Sequence, residues 1–120
     1  MEMDEETRPI TILLAEDNDD DIVLIREAFM HGKLVNVLDV VMDGDEALAY
    51  LHRQGRYADA ELPGLVLLDI NMPKRNGLEV LREIKADPAL RHLPVIMLTT
   101  SRREEDFVAS YTEGACTFIP

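Results

Sequence analysis

The sequence predicts an α/β fold in which a mostly parallel sheet carries helices on both faces. Short apolar runs alternate along the chain with segments whose apolar residues recur at helical spacing. This alternation is typical of parallel sheets, because parallel strands need a crossover connection between them. The 120 residues are enough for one hydrophobic core but not for two. We therefore expect a single doubly wound, flavodoxin-like domain with five parallel strands in the order 2-1-3-4-5.

The elements follow one another in a regular order. The predicted strands are the apolar runs at 10–15, 35–41, 65–69, 95–100 and 115–119. The predicted helices lie between them, at about 22–30, 46–54, 78–86 and 102–113. The run at 65–69 is continuous and bounded by prolines, which favours a strand buried on both faces. Residues 1–8 are polar and acidic, which predicts a flexible N-terminal tail and leaves 9–120 as the domain.

The charge and the cysteine content exclude several classes of function. A formal net charge of -12 argues against nucleic acid or an anionic membrane surface as a direct partner, and suits a basic protein patch or a metal cation. The single cysteine, Cys116, excludes an internal disulfide and a cysteine zinc site, and its apolar surroundings favour a buried thiol. The acidic N-terminus does not resemble a signal peptide, so we expect a cytoplasmic protein.

Acidic and hydroxyl side chains follow three of the predicted strands. Glu16 and Asp17 follow the first strand, Asp69 ends the third, and Thr99 and Thr100 end the fourth. Because all strands of a parallel sheet point the same way, these residues should share one edge. Three carboxylates placed together repel one another unless a cation lies between them, and oxygen ligands favour Mg²⁺. With a hydroxyl beside it, this arrangement predicts a phosphoryl-transfer site.

Other interpretations of the acids are open when each is taken singly. Asp69 can be a helix cap or a reactive group, and Asp19–Asp21 are expected to cap the helix that follows them. The coincidence of three strand ends favours a shared site over independent caps. An EF-hand loop starting at Asp17 is excluded, because its sixth residue is Ile22 rather than glycine and its twelfth is Ala28 rather than glutamate.

Together these motifs resemble a response-regulator receiver domain, the CheY-like family. The resemblance covers nearly the whole chain, and the motifs follow the family's order and spacing. It is carried by Leu13–Asn18, Leu67–Pro73, Asn76-Gly77, Val95–Thr100 and Gly114-Ala115. It implies two-component signal transduction, in which a sensor histidine kinase transfers a phosphoryl group to the receiver. It also implies that the protein is not an enzyme with a separate substrate.

The resemblance implies a role for each carboxylate. Asp69 would be the phospho-acceptor and also a ligand of Mg²⁺. Asp17 would bind Mg²⁺ directly, Glu16 would assist through water, and the backbone carbonyl of Asn71 would complete the protein ligands.

Further residues would act on the phosphoryl group once it is bound. Thr99 corresponds to the hydroxyl that contacts the phosphoryl group, and Phe118 to the aromatic side chain that turns inward with it. Asn71 and Ser101 occupy the two positions that tune dephosphorylation in this family.

A finer resemblance is to stand-alone, cyanobacterial phytochrome-type response regulators. It is carried by the 55–64 connection, the Lys85–Pro88 helix end and the Leu98–Ser101 run. It implies a phytochrome-like kinase as partner and the capacity to form a homodimer. The family also has a Lys soon after the aromatic residue, followed by a last helix. The sequence ends at Pro120, so we expect that Lys and the final helix to be missing from this chain.

Two other functions stand beside the receiver. A haloacid-dehalogenase-like phosphatase also uses an aspartate after a buried strand together with Mg²⁺, but it needs a second aspartate where this chain has Asn71. A docking module of the same fold that is never phosphorylated is the third possibility. Retention of Glu16, Asp17, Asp69 and Thr99 argues against it, because clustered acids destabilise a fold that holds no metal.

Overall fold

Five parallel strands form one sheet in the computed structural model, which describes residues 10–30, 36–98 and 117–119. The strands are β1 (Ile10–Ala15), β2 (Asn36–Val41), β3 (Leu65–Asp69), β4 (Val95–Leu98) and β5 (Thr117–Ile119). Every neighbouring pair is parallel, and the spatial order is β2-β1-β3-β4-β5. The predicted fold class and strand order are confirmed.

The described helices lie on both faces of this sheet. They are α1 (Asp19–Met30), α2 (Gly44–Leu51) and α3 (Gly77–Ala86), with a short 3₁₀ helix at Gly55–Tyr57. The side chains of α2 and α3 share one buried cluster with Leu13 and Leu68, whereas Ile22 of α1 lies in a second cluster with Leu14 and Leu67. Successive residues of β1 and β3 therefore point to opposite faces, and both faces are apolar because both are covered.

The start of α1 differs from the expected capping arrangement. The side-chain oxygen of Asn18, not a carboxylate of Asp19–Asp21, accepts a hydrogen bond from the backbone N–H of Asp21, at 3.0 Å. The three acids lie inside the first turn instead, where they face the positive end of the helix dipole. Asn18 is the better placed residue because it directly precedes the first helical residue, as an N-cap must.

The predicted bounds of α2 are wrong by a few residues at each end. The side chain of Asp43 accepts a hydrogen bond from the N–H of Glu46 at 2.8 Å, so the helix begins at Gly44 rather than near 46. It ends at Leu51 rather than 54, because the chain enters the left-handed region at Arg53, with φ of 57°. The connection that follows packs Tyr57 against Tyr50, with ring centroids 5.2 Å apart.

A capping box starts α3 and thereby ends the loop that follows Asp69. The side chain of Asn76 accepts from the N–H of Glu79 at 3.0 Å, and the carboxylate of Glu79 accepts from the N–H of Asn76 at 3.1 Å. Each bond satisfies an N–H that the helix leaves without an internal partner. Residues 70–76 are thus held between a buried strand and a fixed helix start.

Several sequence predictions fall outside the described residues. These are the tail at 1–8, the end of the fourth strand at Thr99 and Thr100, the helix at 102–113, and Cys116. In the part that the structure describes, no helix is long and apolar enough to cross a membrane.

Shortening a buried leucine of α3 should destabilise the domain far more than shortening an exposed one of α1. Leu81 is 1% exposed and packs in the larger cluster, whereas Leu24 is 64% exposed. We expect Leu81→Ala to lower the free energy of unfolding by about 3 kcal/mol, since alanine keeps the helix but leaves a cavity. Leu24→Ala should change it by less than about 0.5 kcal/mol. Urea denaturation followed by circular dichroism measures both, and equal losses would contradict the described packing.

Candidate functional site

Three carboxylates meet at the carboxyl edge of the sheet. Glu16 and Asp17 directly follow β1, and Asp69 is the last residue of β3. The two strands are neighbours, with Ala15 opposite Leu68, so their ends lie side by side. One carboxylate oxygen from each acid lies within 4.8 Å of the other two. We call this group the acid pocket: Glu16, Asp17 and Asp69.

The three acids differ in their contact with solvent. Glu16 is 3% exposed, Asp69 is half-buried and Asp17 is exposed. The pocket therefore has a buried floor and an open mouth. A small ion or group can reach Asp17 and Asp69 from solvent, with Glu16 behind them.

Backbone groups fix the position of the two walls of the acid pocket. We call the side that carries Glu16 and Asp17 the β1 wall, and the side that carries Asp69 the β3 wall. On the β1 side, the N–H of Glu16 donates to the carbonyl of Val41 at 3.0 Å, and the Glu16 carboxylate accepts from the N–H of Asn18 at 3.2 Å. On the β3 side, Oδ1 of Asp69 accepts from the N–H of Asn71 at 3.2 Å. Both acids are thus held by main-chain donors that follow them closely in sequence, which limits their side-chain freedom.

Gly77 allows the loop after Asp69 to close tightly. A Cβ at this position would lie 2.4 Å from the backbone oxygen of Asp69, which no side chain can tolerate. The N–H of Gly77 also donates to the carbonyl of Ile70 at 2.9 Å. The first turn of α3 therefore packs directly on the backbone of the acid that ends β3.

The electrostatics of the acid pocket oppose full ionisation. Burial, with the hydrogen bond and charge of Asp69, raises the pKa of Glu16 to about 8. Burial also raises the pKa of Asp69, an effect that the charge of Asp17 increases and that hydrogen bonds from Glu16 and Asn71 offset in part. In the part of the chain that the structure describes, no ion pair joins Lys, Arg or His to these carboxylates.

This donor set fits a hard divalent cation. Three carboxylates supply oxygen ligands only, and a cation between them would offset both the burial and the neighbouring charge that raise the pKa of Glu16. The open mouth at Asp17 would leave coordination positions for water or a phosphate oxygen. The pocket can therefore hold an ion and present it to a ligand from solvent.

The other predicted site residues are placed only in part. Asn71 lies two residues after Asp69 in the loop and donates the N–H bond described above. Phe118 lies in β5, where its Cα is opposite that of Met97, but its side chain is outside the described part. Thr99 and Ser101 also lie outside the described residues. Their roles at the phosphoryl group stay predictions.

Sequence reasoning missed the contacts between the start of α2 and the loop after Asp69. Asp43 pairs with Lys74, with Oδ2 and Nζ 3.5 Å apart, and Asp45 pairs with Arg75, with Oδ1 and Nε 3.0 Å apart. The available signal for these contacts was a pair of acids, Asp43 and Asp45, and a pair of bases, Lys74 and Arg75, each on one turn. Opposite charges on separate turns are common on protein surfaces, however, so the pattern alone does not identify the contact.

Comparison with known proteins agrees with this geometry. The family model for the response regulator receiver domain matches residues 12–120. Among curated proteins, the response regulator Rcp1 of Synechocystis sp. is 44% identical over 108 residues, which are 90% of this chain and 74% of that protein.

Solved structures give the same result. The phosphorylated cyanobacterial phytochrome response regulator RcpA is 46% identical, with a TM-score of 0.84, over 93% of this chain and 80% of that one. The Mn²⁺-bound form of Rcp1 is 42% identical, with a TM-score of 0.83, over 92% and 80% of the two chains. By the family match, the identity and the shared fold, this chain belongs to the response regulator receiver domain family.

Proposed function

We propose that this chain, with residues 9–120 as its receiver domain, accepts a phosphoryl group from a histidine kinase on Asp69 in the presence of Mg²⁺. The observation that carries the proposal is the acid pocket, in which oxygens of Glu16, Asp17 and Asp69 lie within 4.8 Å of one another at the open edge of the sheet. Membership of the receiver family supports it. A relative solved in phosphorylated form and another solved with Mn²⁺ support it further.

Four groups of the chain would hold the ion. Asp17 and Asp69 would bind it directly, Glu16 would act through water, and the backbone carbonyl of Asn71 would complete the set. The raised pKa of Glu16 supports this assignment, because a buried acid beside two others is best stabilised by a positive charge. When bound, Mg²⁺ supplies positive charge that stabilises the oxygens of an incoming phosphoryl group.

The chemical step is a displacement at phosphorus. A carboxylate oxygen of Asp69 attacks the phosphorus of a phosphohistidine on the kinase, so that an oxygen–phosphorus bond forms and the nitrogen–phosphorus bond breaks. The electron pair of the broken bond stays on the imidazole nitrogen, which then takes a proton. The N–H of Asn71 holds Oδ1 of Asp69 and so limits rotation of the carboxylate before the attack.

The acyl phosphate on Asp69 would be read by the residues beyond β4. We assign the hydroxyl of Thr99 to the phosphoryl oxygen, Phe118 to the aromatic switch, and the side chains of Asn71 and Ser101 to the rate of dephosphorylation. The half-buried position of Asp69 supports contacts between its phosphoryl group and these residues, because a charged group added there must find partners in the protein as well as in water.

The partner proposed for this receiver is a phytochrome-like sensor histidine kinase of the cytoplasm. RcpA, one of the relatives named above, is a cyanobacterial phytochrome response regulator, which supports that class of kinase. The net charge of -12 favours a basic docking surface on the kinase over nucleic acid or an anionic membrane. A homodimer of the receiver is compatible with the same proposal.

Phosphorylation should require Asp69 and a divalent ion. We expect phosphoramidate with Mg²⁺ to add one phosphoryl group to the wild type, and Asp69→Asn to reduce the addition to background, because an amide is not a nucleophile for this step. Asp59→Asn removes an exposed acid from the 55–64 connection and should leave phosphorylation unchanged. Intact-mass spectrometry with and without Mg²⁺ measures this.

Two results would contradict the proposal. One is a wild type that stays unmodified with Mg²⁺ present, and the other is equal modification of Asp69→Asn and wild type. Steady turnover of a small phosphatase substrate would instead favour the haloacid-dehalogenase-like alternative.

The stability of the metal-free protein should fall as the pH rises through the neutral range. The folded protein keeps a proton on Glu16 up to a pKa of about 8, whereas the unfolded chain loses it near 4.5. Since the folded state binds more protons between about pH 5 and pH 8, its free energy of unfolding decreases over that range. Mg²⁺ at pH 8 should restore it, because the ion binds the folded state only.

Urea denaturation with a chelator, and then with Mg²⁺, measures this dependence. Glu16→Gln should flatten the fall, and Glu27→Gln, which removes an exposed acid of α1, should not. A metal-free wild type whose stability rises from about pH 5 to pH 8 would contradict the account of Glu16.

A further inference from the structure

We propose, on the basis of the function proposed above, that Gly44 is a positioning residue for the acid pocket. It lies at the start of α2, away from the three carboxylates in sequence. Its lack of a side chain lets the loop after Asp69 dock on the β2–α2 corner, which we define as residues 41–45. The corner also contacts Glu16 on the β1 wall of the pocket. It therefore fixes the β1 wall and the β3 wall relative to each other.

The contact between Gly44 and the loop is closer than any side chain allows. A Cβ at Gly44 would lie 2.0 Å from the backbone oxygen of Arg75, and 2.5 Å from its Cβ. The nearest of these atoms is backbone, which cannot rotate away as a side chain can. The N–H of Gly44 also points to the carbonyl of Pro73, with the nitrogen and the oxygen 3.5 Å apart. Any larger residue at 44 must therefore displace the loop backbone.

Charged side chains reinforce this docking on both sides of Gly44. Lys74 pairs with Asp43, which is 9% exposed and also caps α2, and Arg75 pairs with Asp45. Lys74 has a φ of 67°, in the left-handed region that a lysine seldom adopts. A conformation of this kind persists only where neighbouring contacts hold it, and the corner supplies those contacts.

The corner also holds the β1 wall of the pocket. The carbonyl of Val41, the last residue of β2, accepts the hydrogen bond from the N–H of Glu16 at 3.0 Å. The loop that docks at Gly44 carries Asn71, whose N–H holds Asp69. Glu16 is thus tied to one end of the corner and the Asp69 loop to the other. A shift of the loop backbone at Gly44 therefore changes the spacing between the two walls without altering any of the three carboxylates of the acid pocket.

The test compares two glycines at which an added methyl group would meet different kinds of atom, backbone at Gly44 and a side-chain end at Gly64. Neither Gly44 nor Gly64 has a positive φ, so alanine is compatible with the backbone of both. At Gly64, in the connection before β3, the nearest atom to an added Cβ is Cγ2 of Ile10 at 2.9 Å, the end of a side chain. Gly64→Ala is therefore a matched control. It lies just before β3, at the end of that strand opposite to Asp69.

Mn²⁺ affinity is the main readout, because a variant that is merely less stable but still folded binds the ion as the wild type does. We expect Gly44→Ala to weaken Mn²⁺ binding about 10-fold, the effect of losing an outer contact of a metal ligand. Gly64→Ala should stay within about 2-fold of the wild type, since it alters no such contact. Electron paramagnetic resonance of free Mn²⁺ measures this at a temperature where circular dichroism finds each variant folded. In the metal-free protein, the amide resonances of Glu16 and Asn71 should shift in Gly44→Ala only.

A second variant decides the matter if Gly44→Ala does not fold. Lys74→Ala removes an exposed cation, and on electrostatics alone the loss of a positive charge should tighten Mn²⁺ binding. If Lys74 positions the loop, Lys74→Ala should instead weaken Mn²⁺ binding, because the loop loses its ion pair with Asp43. Lys85→Ala removes the same charge from the last turn of α3 and is the control.

The outcomes separate this proposal from the one on which it rests. A wild type that neither binds Mn²⁺ nor accepts a phosphoryl group overturns the proposed function. A wild type that binds, together with a folded Gly44→Ala of equal affinity, overturns only the role of Gly44. Tighter or unchanged binding by Lys74→Ala relative to Lys85→Ala overturns it as well.

Discussion

The repulsion among Glu16, Asp17 and Asp69 is the constraint around which the rest of the site is arranged. Parallel pairing of β1 with β3 brings the two strand ends together, so that Asp69 at the end of β3 lies beside Glu16 and Asp17, which follow β1. Burial of Glu16 makes the repulsion stronger, since little water is available to screen it. A pocket of this kind is stable either with a shared proton or with a cation, and the cation also serves phosphoryl chemistry.

The fold supplies rigidity where this chemistry needs it. Leu13, Leu14 and Leu68 have no exposed surface, so the strands that carry the acids are fixed on both faces of the sheet. The loop after Asp69 is short, and two glycines hold its backbone: Gly77 packs on Asp69 itself, and Gly44 packs on Arg75. Asp69, the carboxylate proposed to attack phosphorus, is therefore placed by backbone contacts rather than by flexible side chains.

Much of this arrangement could be predicted from local sequence. The apolar runs identified the strands, the breakers between them identified the crossovers, and parallel pairing then placed Glu16, Asp17 and Asp69 at one edge. The remaining features depend on contacts between distant segments. The fit of Gly44 against Arg75, the burial of Glu16 and the pairing of Lys74 with Asp43 cannot be identified from local sequence alone. The early end of α2 at Leu51 depends on the left-handed Arg53, which residue preferences do not favour.

We propose that the three carboxylates share one divalent ion, and the position of that ion in a crystal tests this most directly. Crystals of the protein soaked in Mn²⁺ and measured at the manganese absorption edge would locate the ion by anomalous scattering. We expect one strong peak between Asp17 and Asp69, with the Asn71 carbonyl as a further ligand and Glu16 one water away. A peak only at other acids, or none in the pocket at a saturating Mn²⁺ concentration, would contradict it.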